Sequence, residues 1–287
     1  MTPTESFRAA RQVLLDNAAD LEKARAQFLW PSLTSFNWAR DWFDVMARDN
    51  PRDALVVVSE SGAAERVSFA AMADRSQRVA RYLADAGVQR GDRVLLMLPN
   101  VVPLWETMLA TMRLGAVLIP ATAQLTPDDV DDRIARGDVK HVITDAAGAS
   151  KVRDPTRLKV KLVHGSFAGF APFQDAYAAR ADAPFVDTQA GDPLLLYFTS
   201  GTTAKPKLVL HTHESYPVGH LSTMYWIGLR EGDVHQNISS PGWAKHAWSS
   251  VFAPWNAGAT VLVRDQPKFS PAVTLQTLEE HAVTTLC

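Results

Sequence analysis

The sequence has a single cysteine, Cys287, among 287 residues. An internal disulfide is thereby impossible, and a cysteine-rich metal site is excluded. A surplus charge of one sign is lacking too. The 29 Lys and Arg residues face 31 Asp and Glu, giving a formal net charge of −2 at pH 7 and a pI near 6.4. That is not the basic footprint of a nucleic-acid-binding protein. No apolar run approaches the roughly 20 residues of a membrane span. The first seventeen residues mix charged and apolar positions without the apolar core of a secretory signal. These absences predict a cytoplasmic chain in a reducing compartment. The pattern of glycine, four residues, then Gly-Lys-Ser/Thr is missing as well, which argues against a kinase or GTPase type of loop.

What is present is an ordinary globular composition, 47% hydrophobic and 21% charged, and enough length for one or two domains. The most informative stretch is 194–213. The apolar run Leu194 to Phe198 reads as a buried strand. It gives way to Thr199-Ser200-Gly201-Thr202-Thr203-Ala204-Lys205-Pro206-Lys207, and an apolar run resumes at Leu208, predicting a second strand. Small residues let backbone N–H groups converge on an anion, and hydroxyls add donors. Lys205 and Lys207 add positive charge, with Pro206 stiffening the segment between them. The chemistry suggested is phosphate binding. The bland alternative is a surface hairpin rich in turn formers.

Along the chain, helix spacing runs through 6–28 and breaks at Pro31, and a second amphipathic segment carries Phe36, Trp38, Trp42 and Phe43. Strands are expected at 55–58, 66–69, 93–98, 115–120, 141–145 and 158–164. Helices are expected at 70–86, 101–113, 126–137 and 173–182, and beyond the loop at 214–227 and 271–281. Such alternation predicts an α/β fold of parallel β-α units with helices on both sheet faces. The Pro- and Asp-rich segment 183–193 marks a boundary. The expected parts are a helical extension over 1–48, a first α/β subdomain over 49–190, and the start of a second over 191–287.

A second constellation is Ser240-Pro241-Gly242-Trp243-Ala244-Lys245-His246-Ala247-Trp248-Ser249. Trp243 and Trp248 suit the wall of an apolar pocket, and Lys245 or His246 could face an anion; the plainer reading puts the tryptophans in the core and the charges in solvent. His211 and His213 alternate as on one strand face, but no carboxylate or cysteine stands nearby at ligand spacing, so a zinc reading is set aside.

The order Thr199-Ser200-Gly201-Thr202-Thr203-x-x-Pro206-Lys207 resembles the phosphate-loop signature of the adenylate-forming, or AMP-binding, superfamily. Corroboration comes from Gly87-Val88-x-x-Gly91-Asp92-Arg93-Val94 and from Leu114-Gly115-Ala116-Val117-x-x-Pro120. The chain is similar above all to acetyl- and medium-chain acyl-CoA synthetases, in which a segment like Gly242 to Trp248 lies beside the acyl pocket. Three positions depart from the family's habit, which has glycine at Ala204, often glycine at Leu208, and aspartate at Ser240. Ala204 is harder to place at positive φ than glycine.

The resemblance implies ATP, Mg2+ and CoA, with a short- or medium-chain, branched or aromatic carboxylic acid as substrate. Thr199, Ser200, Gly201, Thr202, Thr203, Lys205 and Lys207 would cradle the β- and γ-phosphates. His213, Trp243, Lys245, His246 and Trp248 are candidates for the acyl and CoA pockets, His213 because it matches a histidine common after the loop. The family's Thr-Glu segment, its ribose-binding aspartate and its C-terminal catalytic lysine have no counterpart before Cys287. The chain therefore reads as an N-terminal portion, expected to be inactive alone and to pack poorly at an unfinished sheet. The alternatives are another acid-adenylating enzyme of the aminoacyl type and a non-catalytic nucleotide- or acyl-binding module.

Overall fold

Two β-sheets rather than one organise the computed structural model, which describes residues 1–199, 206–266 and 268–287. The strands of the first half are β1 (Asp53–Val58), β2 (Ala64–Ser68), β3 (Arg93–Met97), β4 (Val117–Pro120), β5 (Val139–Asp145), β6 (Val160–His164) and β7 (Ala171–Pro172). Those of the second are β8 (Pro193–Thr199), β9 (Lys207–Thr212), β10 (Val234–Gln236), β11 (Thr260–Arg264) and β12 (Thr285–Leu286). The larger sheet has the order β7-β6-β5-β3-β4-β8-β9 and is parallel except for the β8–β9 hairpin. The smaller has the order β12-β10-β11-β1-β2 and is parallel except for β1–β2.

Alternating strand faces distribute the apolar residues among three cores. Leu55 and Val57 of β1, and Val94 and Leu96 of β3, point into one shared core. The long helices Phe69–Asp85 and Val102–Arg113 belong to that core, so they lie between the sheets. Leu95 and Met97 face a second core covered in part by helix Pro127–Arg136, through Val130. Val56 and Val58 face a third with Leu262. Burial on both faces explains why these strands read as near-continuous apolar runs. Every residue of helix Val102–Arg113 is buried, and Trp105 Nε1 donates to the Ser250 carbonyl at 2.7 Å.

The expected division of the chain does not follow the sheets. β8 and β9, beyond residue 190, complete the larger sheet, while β1 pairs with the late strand β11 on one side and with β2 on the other. The reason is register across long separations, which local patterning does not encode. Residues 1–48 are likewise no appendage. Arg11 donates to the carbonyls of Asn256 (2.5 Å) and Ala257 (2.8 Å), and Trp38 Nε1 donates to Asn256 Oδ1 at 2.8 Å.

Local corrections follow. The first helical run is two helices, Pro3–Asp16 and Leu21–Gln27, because Asp20 caps the second through Lys23 N. Residues 173–182 form only a 3-10 segment, Phe173–Ala178, and 214–227 only the helix His220–Ile227. Helix Pro271–Glu280 ends near its expected place. Among the described residues no helix is long and apolar enough to cross a membrane.

Candidate phosphate-loop and acyl-pocket site

The β8–β9 hairpin brings the two roots of the loop together. Thr199 lies opposite Lys207, Phe198 opposite Leu208 and Tyr197 opposite Val209. The cradle residues Ser200, Gly201, Thr202, Thr203 and Lys205, and the positive-φ expectation at Ala204, fall outside the described residues. Thr199 and Lys207 flank them.

Beside the roots a cavity of about 440 Å³ opens at the carboxyl ends of β4 and β8. In parallel sheets this end is where ligands bind. Pro120, Ala121 and Thr122 form one wall, Tyr197, Phe198, Thr199 and Pro206 another, and Gly242, Trp243 and Ala244 a third. Gly242 has φ near +90°, and a Cβ there would stand 2.2 Å from Thr122 N, so only glycine lets this segment lie on the end of β4. Trp243 is 56% exposed at the start of helix Ala244–Ala247, and Tyr216 OH fixes that start by donating to the Ala244 carbonyl at 2.9 Å.

Across Thr122 lies a second cavity of about 290 Å³, at the carboxyl ends of β3, β4, β10 and β11. Its walls are rich in amides: Asn100, Gln124, Gln236, Asn237 and Gln266, with Arg264. Gln236 Oε1, Gln266 Oε1 and Arg264 Nε are buried without a protein partner among the described residues. They are the polar atoms an occupant would satisfy. The sequence carries no local signal for this site, because its residues come from the ends of four strands.

The remaining candidates separate. His213 is fully buried after β9, with neither ring nitrogen hydrogen-bonded among the described residues; burial holds it near 4, with the nearby charges of Asp192 and Arg40 secondary. It lines neither cavity. His246 is buried on Trp105, ring centroids 5.6 Å apart, and its Nε2 bonds Asn100 Oδ1 at 3.1 Å. Burial pushes it down to about 3, so it is a neutral buttress behind the second cavity rather than a cation facing an anion. Trp248 is half-buried, stacked on His220 at 5.9 Å, and lines neither cavity. Lys245 is exposed and lines neither. Of this group only Trp243 reaches the cavity at the loop.

Residues 43–287 match the family described as AMP-binding enzyme, and the chain belongs to that family. It is 34% identical to the rat mitochondrial acyl-coenzyme A synthetase ACSM3 over 98% of its own length and 51% of the rat protein. It is also 34% identical to 4-hydroxybutyrate–CoA ligase 1 of Metallosphaera sedula, over 89% of this chain and 46% of that one. The crystal structure of a Brucella canis acyl-CoA synthetase superposes with a TM-score of 0.79 at 28% identity, covering 94% of this chain and 51% of that one. The chain thus spans about half the length of these relatives. The cytoplasmic expectation finds no support in the ACSM3 relative, whose name is mitochondrial.

Proposed function

We propose that this chain supplies the ATP phosphate loop and part of the acid and CoA pockets of an AMP-forming acyl-CoA synthetase. The observation that carries the reading is the 440 Å³ cavity joining the root Thr199, and Pro206 next to the other root, to Trp243 and Ala244. A loop that held polyphosphate between these roots would lie beside an apolar wall, which suits acid activation. A carboxylate oxygen attacks the α-phosphorus of ATP, pyrophosphate leaves, and the CoA thiol then displaces AMP from the acyl-adenylate. Such displacements are catalysed mainly by positioning and charge neutralisation.

In this reading Thr199, Ser200, Gly201, Thr202, Thr203, Lys205 and Lys207 hold the β- and γ-phosphates, and magnesium would enter on those phosphates to neutralise charge. Among the described residues no three His, Cys, Asp or Glu side chains gather to hold an ion themselves. Trp243 walls the acyl group of a short- or medium-chain, branched or aromatic acid. The amide-lined second cavity suits the two amides of the CoA arm, with Lys245 exposed nearby in sequence for its phosphates.

The test is exchange of labelled pyrophosphate into ATP by the complete gene product, with and without acids, followed by CoA dependence. Exchange that needs a simple carboxylic acid and proceeds to a thioester supports the reading; exchange only with amino acids, or none, overturns it. Lys207→Ala should raise the KM for ATP about tenfold or more, since a charge-assisted contact is worth roughly 1.5–3 kcal/mol. The KM for the acid should stay near its original value. Unchanged ATP kinetics would remove Lys207 from the site.

A further inference from the structure

We infer that Arg133 and Arg136 act from outside the loop as positioning residues, a pair of guanidiniums that clamp its two roots; the functional part of this inference rests on reading 199–207 as the ATP loop. Both arise from helix Pro127–Arg136 at i and i+3, hence on one face. The helix itself is fixed. Thr126 and Asp129 form a reciprocal capping box, and Arg153 ties Asp128 and Asp131 to the neighbouring chain at 2.6 and 2.8 Å.

From this base the guanidiniums of Arg133 and Arg136 lie over one face-bearing ring, Phe198, at 4.9 and 5.4 Å from its centroid. Phe198 immediately precedes the root Thr199. Arg136 Nη2 also donates to the Pro206 carbonyl at 2.7 Å, and Pro206 immediately precedes the root Lys207. Its Nη1 donates to Asp132 Oδ2 at 3.0 Å. Arg133 is only 9% exposed and forms part of the cavity wall; Asp132 and Asp129 lie 3.4 and 3.6 Å from its Nη1. Each root is thus one residue away from a guanidinium contact.

Arg136 donates in its plane to two oxygens while presenting its flat face to a ring. An ammonium has no such face, so lysine can restore the charge but not the combination. Neither arginine adjoins the loop in sequence; the β8–β9 pairing joins the two roots to each other, and the guanidiniums join both to helix Pro127–Arg136.

The experiment compares the complete gene product with Arg136→Ala, Arg136→Lys, Phe198→Leu and the Arg136→Ala/Phe198→Leu pair. Hydrogen exchange of backbone amides in 195–212 is measured without ligand, beside thermal melts and kinetics. Losing one hydrogen bond and one cation–π contact predicts about tenfold faster exchange in that segment alone. The KM for ATP should rise about as much, with kcat within roughly twofold and the KM for the acid unchanged. Arg136→Lys should recover less than half of the defect, and the double variant should fall short of the sum of the two single variants because they share the Arg136–Phe198 contact. The inference is overturned if exchange in 195–212 is unchanged, if lysine restores it fully, or if exchange rises uniformly with a falling Tm. An unaltered enzyme with no acid-dependent ATP chemistry would defeat the functional reading, while the exchange data would still decide whether the clamp exists.

Discussion

Glu106 lies in the middle of a helix with no exposed surface. Its Oε2 accepts from Tyr177 OH at 2.7 Å, and Oε1 has no hydrogen-bond partner among the described residues. Burial raises its pKa to about 7, against the smaller lowering effects of the Tyr177 bond and of Arg75. A carboxyl raised on folding binds protons more readily in the native state. Its contribution to stability is full below the unfolded value near 4.5 and is lost as pH rises towards 7.

Four histidines, His220 half-buried and the others buried, act in the opposite sense. His213, His220 and His235 are held near 4, and His246 near 3, chiefly by burial. The unfolded chain takes up their protons below about 6.5, so they remove stability as pH falls from there. The four outweigh the one, and the protein should lose stability on going from pH 7.5 to 5. Glu106→Gln should lose more, by about 2 kcal/mol, because the opposing term is gone. Urea unfolding of both proteins at the two pH values measures this; parallel changes would mean that Glu106 is ordinary in the native state.

At the scale of elements, Gly242 couples the segment of Trp243 to β4. Gly242→Ala places a methyl against Thr122 N and the Ala121 carbonyl carbon at a φ that alanine rarely adopts. The segment must shift, with strain of about 1–3 kcal/mol. Acid KM should rise in this variant more than ATP KM, because Trp243 moves while the loop roots stay on the hairpin. Equal effects on both substrates in steady-state kinetics would show that the wall and the loop are one unit.

Elements of this kind differ in how far sequence discloses them. The β8–β9 hairpin was legible because two apolar runs flank a short stretch of small residues. Strands β3, β4 and β5 were legible as apolar runs closed by turn residues. Arg133 and Arg136 were not, because the helix bearing them lies more than sixty residues before the loop and read only as one more helix, over 126–137. The turns Trp38–Phe43 and Trp248–Phe252 have π geometry, which no spacing rule for an ordinary helix finds. The pocket role of His213 rested on its position after the loop, and burial, which that position does not reveal, took it elsewhere.

For the whole molecule, the edge of the larger sheet at β9 is conspicuous. Leu208, Val209 and Leu210 are 39%, 37% and 52% exposed on a strand with no neighbour on one side among the described residues. Open apolar edges promote pairing between chains. Residues 1–287 in isolation should self-associate with rising concentration, and Val209→Lys should suppress this, as light scattering would register. A monomer at all concentrations would show that the edge is harmless.

The pairing of β1 with β11 also sets a timetable. Trp255 donates to the Ala54 carbonyl across 201 residues of sequence, and helix Pro3–Asp16 finds its carbonyl partners still farther along, at Asn256 and Ala257. At roughly 5–20 residues per second on the ribosome, β1 waits on the order of 10–40 s for its neighbour. Until then an apolar strand and the N-terminal helices lack the partners they were selected to meet. In refolding of the whole chain the long loop between β1 and β11 argues for the same order, and the smaller sheet should gain protection in pulse-labelling after β3 to β6. In the cell that interval is the stretch of synthesis in which a chaperone has the most to bind.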